Sequence, residues 1–186
     1  LNNWWPFSGD VYLLLEINSL IKKFGIKTII ETGTWKGRTA QLMSTMVDTV
    51  YTIEIDEEVY NTTNFLDDIP NVHRFLGDSP KVLAEILPTV TQPILFFLDA
   101  HWGDEWPLLK ELEIIEKYRI PNSVIVIHDI YNPSHPDFNY DSYKGVRLDW
   151  DYIKPLINKI YHFYKFYYNT ETSGDKCGAI FIHGDT

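Results

Sequence analysis

The chain has 186 residues, 45% of them hydrophobic, and a formal net charge of −10. That length suits one well-buried domain, and the apolar content excludes a disordered chain. The acidic excess argues against a nucleic-acid backbone as main partner, because neutralising phosphates takes clustered Lys and Arg, and no apolar run reaches the roughly 18–20 residues that span a bilayer.

Apolar positions at helical spacing over 10–24, closed by Gly25, predict a first helix. Strand-like runs and helical patterns then alternate. Strands are expected over Lys27–Glu31, Val50–Ile55, Val72–Leu76, Ile94–Leu98 and Ser123–Ile127. The intervening helices fall at Arg38–Met46, Glu57–Leu66, Ser79–Leu87 and Leu108–Tyr118. Such alternation marks a parallel sheet with crossover helices. A long Pro-, Asn-, Asp- and Tyr-rich loop follows over Tyr131–Val146, then a helix over Asp149–Tyr161. Phe163–Tyr168 and Gly178–His183 read as a closing hairpin. The expectation is a single α/β domain over 1–186: a Rossmann-like three-layer sandwich with a mostly parallel seven-stranded sheet and an antiparallel C-terminal hairpin strand. The chain begins at Leu1 rather than Met, which suits a domain taken from a longer protein. Cys177 is the sole cysteine, which excludes an internal disulfide and a cysteine-based zinc site and favours a reducing, cytoplasmic location.

Chemistry gathers at the predicted strand ends. The first strand runs into Glu31-Thr32-Gly33-Thr34-Trp35-Lys36-Gly37-Arg38-Thr39, an acid followed by a glycine-containing turn that opens a helix. Small residues there let the backbone approach a ligand, and helix-start amides face a carboxylate. The second strand ends at Glu54-Ile55-Asp56, about 20 residues further on, where a carboxylate grips a ribose diol in nucleotide-binding folds. Strand alternation leaves Glu54 and Asp56 as competing candidates. Gly77-Asp78-Ser79 follows the third strand and offers polar groups to an adenine amino group. Ligands of open α/β sheets bind beyond the carboxyl ends of their strands, where all three clusters fall.

These segments resemble class I S-adenosylmethionine (SAM)-dependent methyltransferases, and among them the catechol-type and macrolide-sugar (rhamnosyl) O-methyltransferases. Glu31–Gly37 is similar to their first motif, E-x-G-x-[aromatic]-x-G. Tyr51-Thr52-Ile53-Glu54-Ile55-Asp56 is similar to the second, whose Glu holds the ribose hydroxyls, so the resemblance favours Glu54. Gly77-Asp78-Ser79 matches their adenine-side turn. The resemblance runs from about residue 10 to the C-terminus and implies SAM bound by Glu31, Thr32, Gly33, Thr34, Trp35, Gly37, Thr39, Glu54, Ile55, Gly77, Asp78, Ser79, Asp99 and Trp102.

The fourth and fifth strands end in Leu98-Asp99-Ala100-His101-Trp102 and Ile127-His128-Asp129. Adjacent strands lie about 4.8 Å apart, so these clusters should be neighbours. Carboxylates and imidazoles gathered there cost desolvation energy unless something binds them, and a divalent cation is the simple answer. The resemblance implies Asp99 and Asp129 as metal ligands. His128 stands where those families carry an acid, and imidazole suits metals softer than magnesium. Asp99, His128 and Asp129 are the expected ligands and Mg²⁺ or Mn²⁺ the expected cation. Methyl transfer to a hydroxyl needs that oxygen coordinated or deprotonated. His101 is the candidate general base, with Asp99 beside it; the alternative is that His101 and Trp102 wall the adenine pocket.

The 131–146 loop interleaves His135, Asp137, Phe138, Tyr140, Asp141, Tyr143 and Lys144, a pattern suited to a polyhydroxylated ring. The expected acceptor is a small molecule or glycan, a sugar hydroxyl before a catechol-like phenol; no nucleic-acid or membrane partner is expected, and a homodimer is open. An iron-dependent hydroxylase-like relative and a catalytically silent scaffold are the rival readings.

Overall fold

The computed structural model describes residues 5–101 and 106–185. Its centre is a seven-stranded sheet: β1 (Thr28–Thr32), β2 (Thr49–Glu54), β3 (Val72–Leu76), β4 (Ile94–Leu98), β5 (Val124–His128) and, after a two-stranded ribbon, the final pair β8 (Tyr164–Tyr168) and β9 (Ala179–Gly184). The ribbon is β6 (Ser142–Tyr143) with β7 (Val146–Arg147). The order is β3-β2-β1-β4-β5-β9-β8; β1–β5 pair in parallel, and β9 runs antiparallel to both its neighbours. The order reverses between β1 and β4, the switch point where a crevice opens in such sheets.

Among the described residues, six α-helices flank the sheet: α1 (Val11–Phe24), α2 (Arg38–Met43), α3 (Glu57–Thr62), α4 (Ser79–Ile86), α5 (Leu108–Tyr118) and α6 (Trp150–Ile160). Because side chains alternate along a strand, the continuous apolar strands serve two cores at once. Ile29, Leu95, Phe97, Val124 and Val126 pack under α1 and α2. Ile30, Phe96, Leu98, Ile125 and Ile127 pack under α4, α5 and α6. This is the expected three-layer sandwich with one antiparallel strand. Among the described residues, no helix is long and apolar enough to cross a membrane.

Two predicted helices are shorter than expected, for one reason. The helix expected to reach Met46 ends at Met43, where the hydroxyls of Ser44 and Thr45 donate back to the carbonyls of Gln41 and Leu42. The helix expected over Glu57–Leu66 ends at Thr62 and resumes as a 3₁₀ turn over Asn64–Asp68; Thr62 and Thr63 donate back to Val59 and Tyr60. Short hydroxyl side chains compete for carbonyls that the next helical turn would use. The expected 131–146 loop contains β6, and its turn residues Lys144 and Gly145 both have positive φ, as a tight hairpin turn requires.

The N-terminal side is tied to the far end of the chain. Asp10 caps α1 by accepting from the Tyr12 and Leu13 amides, and it also accepts from the Thr172 hydroxyl. Phe7 is buried edge-on against Phe97.

Candidate functional site

A cavity of about 430 Å³ opens at the carboxyl ends of β1–β5. Gly33, Trp35, Glu54, Ile55, Gly77, Asp78, Ser79, Asp99, His101, His128 and Asp129 from the sequence reading all line it. Trp102 lies outside the described residues.

The β1 turn is shaped by close approach. Gly33 has a φ of 88°, and a Cβ there would lie 2.8 Å from the Asp99 carbonyl oxygen. Only glycine lets the ends of β1 and β4 meet this closely without displacement. Glu31 does not reach the cavity: it is buried and accepts from Thr52 Oγ1 at 2.5 Å, with Thr34 joined to Thr52 at 2.6 Å. Burial, only partly offset by that hydrogen bond, pushes its carboxyl up to about 8. Thr32 is fully buried beside it. Thr39, expected at the cofactor, accepts from the Phe7 amide and fastens the N-terminal segment. Gly37, also expected there, has φ 68° and its Cα faces Leu66 and Phe65. So Glu31, Thr32, Thr34, Gly37 and Thr39 stand behind the residues that line the cavity.

The competition between Glu54 and Asp56 is decided by hydrogen bonds. Asp56 accepts from the Val59 amide and caps α3. Glu54 lines the cavity; one oxygen accepts from the Trp35 amide at 3.0 Å and the other from Ile55 and Asp56 at 2.9 and 3.0 Å. Its carboxylate is thus held rigidly between the β1 and β2 turns, with further lone pairs available. Gly77 N–H donates to the Glu54 carbonyl at 2.7 Å, which ties the third turn to the second. Asp78 faces Lys81 at 3.2 Å. The Ser79 hydroxyl points inward and donates to Glu111 Oε1 at 2.5 Å.

At the other end, β4 and β5 bring their polar clusters together as expected. His128 Nδ1 lies 3.0 Å from Asp99 Oδ1 and 3.3 Å from Asp129 Oδ2. Burial disfavours charge on this imidazole, but the two facing carboxylates carry its pKa well above the usual value. Asp129 is likewise opposed by burial, and the His128 charge outweighs it and holds the carboxyl down at about 2. Burial raises Asp99 despite His128. His128 therefore acts as a buried counter-ion between two acids, and its Nδ1 is taken. Together with Asp129 and Cys177, His128 also presents ligand atoms that lie within 4.8 Å of one another.

The 131–146 loop, read from the sequence as part of the acceptor site, brings a further acid to this end. Asp141 reaches the cluster because its amide donates to the Asp129 carbonyl at 2.8 Å. His101, Asp129 and Asp141 present ligand atoms within 4.8 Å of one another. Cys177 and Asp175 enter the cavity from the turn between β8 and β9, and Trp106 and Lys110 from the start of α5. Burial first, and then Asp129, raises the Cys177 thiol. Asp175 and Cys177 lie far from the motifs in sequence. The loop aromatics mostly pack on one another: Arg147 stacks 3.8 Å over Tyr131, Tyr131 meets Tyr140, and Trp106 meets Tyr143 edge-on.

This sheet, with its turns at the carboxyl edge, is the fold of the class I SAM-dependent methyltransferases. An O-methyltransferase from Bacillus cereus, solved with S-adenosylhomocysteine, superposes with a TM-score of 0.69 at 17% identity, over 91% of this chain and 79% of that one. A Staphylococcus aureus protein provisionally described as a caffeoyl-CoA O-methyltransferase gives 0.65 at 19% identity, over 92% and 83%. An rRNA methylase from Streptococcus thermophilus gives 0.59 at 13% identity, over 93% and 97%. No protein-family model and no curated protein matches the sequence.

Proposed function

We propose that the chain is a SAM-dependent O-methyltransferase whose acceptor is a hydroxyl of a sugar or glycan. One observation carries this reading: a single cavity runs from Glu54 and Asp78 to His101, Asp99 and Asp129. A nucleoside with a charged tail fits that span, its ribose on Glu54, its adenine toward the Asp78–Ser79 turn, and its sulfonium directed at the acid cluster. The likeness to structures solved with S-adenosylhomocysteine supports the same cofactor.

Methyl transfer is an in-line displacement: the acceptor oxygen bonds to the methyl carbon as the carbon–sulfur bond breaks, and the hydroxyl proton must leave. His101 is exposed at the cavity, which Asp99 and Asp129 also line, and its ligand atom lies within 4.8 Å of those of Asp129 and Asp141. It is the base of this proposal. Asp99, Asp129 and Asp141 supply oxygen donors, and with His128 engaged between two of them the donor set suits Mg²⁺ or Mn²⁺. Such a cation would lower the pKa of a bound hydroxyl. The acidic rim also suits neutral, hydroxyl-rich acceptors over phosphorylated ones. A catechol-like acceptor is the second reading, favoured by the aromatic cluster of Trp106, Tyr143 and Tyr152 beside the cavity.

The test is calorimetric titration of SAM with EDTA, then with Mg²⁺ or Mn²⁺, followed by turnover on sugar and catechol acceptors. Micromolar SAM binding and metal-stimulated turnover on sugars are expected. Absence of SAM binding under every metal condition would overturn the methyltransferase reading.

A further inference from the structure

Glu111 is completely buried on α5, away from every motif that marked the cofactor cavity. One oxygen accepts from the Ser79 hydroxyl at 2.5 Å. The other, Oε2, and Thr32 Oγ1 both lack a hydrogen bond of full geometry among the described residues. The Thr32 hydroxyl nevertheless lies close enough to act on the Glu111 carboxyl and stabilise its charge. Three parts of the cavity wall therefore converge on one side chain. Thr32 precedes the Gly33 turn, Ser79 ends the Gly77–Ser79 turn, and Glu111 follows Lys110, which lines the cavity from the first turn of α5.

We infer that Glu111 is a positioning residue of the cofactor cavity: it locks the turn after β3 and the end of β1 to the start of α5. This rests on the reading of the cavity as a SAM site. A buried carboxyl with no cationic partner costs far less neutral than ionised. Burial pushes Glu111 up to about 7, and Asp78, the charged group facing it from the β3–α4 turn, adds to the rise. In the neutral form the acid proton points to Thr32 Oγ1 while the carbonyl oxygen accepts from Ser79. Both unpartnered atoms are then satisfied by one hydrogen. Ionised, the carboxylate can still accept from both hydroxyls, but it then bears the cost of a buried charge. Glutamine reproduces the neutral form, with a carbonyl for Ser79 and an N–H for Thr32.

The test measures SAM affinity and steady-state kinetics for wild type, Glu111→Gln, Glu111→Ala, Glu111→Asp and Ser79→Ala, with the fold of each checked by circular dichroism. Losing a hydrogen bond that holds the turn should weaken SAM binding about five- to tenfold in both alanine variants. KM for SAM should rise while kcat stays near wild type, and Glu111→Gln should remain within about twofold. Infrared spectra at neutral pH should show a protonated carboxyl band in the wild type that Glu111→Gln lacks. If Glu111→Ala does not fold, Glu111→Asp decides, since its shorter side chain keeps the acid but draws back from Ser79. Wild-type SAM affinity in the folded alanine variants would overturn the inference, as would a glutamine variant as weak as the alanine. A wild type that binds no SAM would instead remove the methyltransferase reading on which the inference stands.

Discussion

Glu54 shows how a single carboxylate can be prepared for a ligand before the ligand arrives. Three backbone amides fix its two oxygens, so little side-chain entropy is left to lose when hydroxyls approach. Glu54→Gln keeps the shape but loses the charge and turns an amide donor toward those N–H groups. We expect SAM affinity to fall about ten- to a hundredfold by calorimetry, the range of hydrogen bonds to a charged group. His101→Gln tests the other end of the cavity. It should lower kcat at least about a hundredfold with little change in SAM affinity, the scale of general-base catalysis. Turnover close to wild type would remove His101 from the base role.

Elements hold these side chains by contacts that cross the whole chain. The Gly33 turn brings β1 and β4 to within 2.8 Å of where a Cβ would sit. Gly33→Ala combines that overlap with left-handed strain of about 1–2 kcal/mol. Both stability, followed by denaturant unfolding, and SAM affinity should drop. Asp10 makes a contrast near the same edge of the sheet, because its own side chain does not line the cavity. Its carboxylate caps α1 and holds Thr172 in the β8–β9 turn. Asp10→Ala should cost about 1–2 kcal/mol of stability and leave SAM affinity within about twofold. A large affinity loss there would mean that the terminal turns shape the cavity more than their contacts indicate.

At the scale of the whole molecule, the buried titrating groups give stability a definite pH dependence. Glu31 is raised to about 8 and Glu111 to about 7, both by burial, so the folded chain keeps protons that the unfolded chain has released above about pH 4.5. His128 is also raised, so its contribution is complete below about pH 6.5 and is lost as pH climbs through its folded value. Stability therefore falls as pH rises, through Glu111 between about 4.5 and 7, through Glu31 between about 4.5 and 8 and through His128 above about 6.5, by up to about 1.4 kcal/mol per pH unit for each group while it titrates. Asp129 works at the other end: its carboxyl is held down at about 2, so its contribution is present above about pH 3.8 and disappears as pH falls toward 2. Thermal melts should therefore peak near pH 4–5. Glu31→Gln and Glu111→Gln should each flatten the alkaline limb. A melting temperature that rises steadily from pH 5 to 8 would contradict this assignment.

The sequence by itself determined the layers and the edge of the sheet that carries chemistry. Continuous apolar runs such as Ile94–Leu98 can be buried only between two helical layers, and Gly33, Glu54 and Asp78 fall at successive strand ends by spacing alone. Helix ends were less legible, because Ser44, Thr45, Thr62 and Thr63 choose between continuing a helix and bonding back to it according to what packs around them. The family resemblance already favoured Glu54 over Asp56; only the tertiary structure showed that His128 Nδ1 sits between two acids and that Cys177 and Glu111 belong to the same neighbourhood. These are long-range meetings of groups from separate loops. Their charge states follow from burial and from each other, and no local pattern in a chain encodes which distant carboxylate an imidazole will meet.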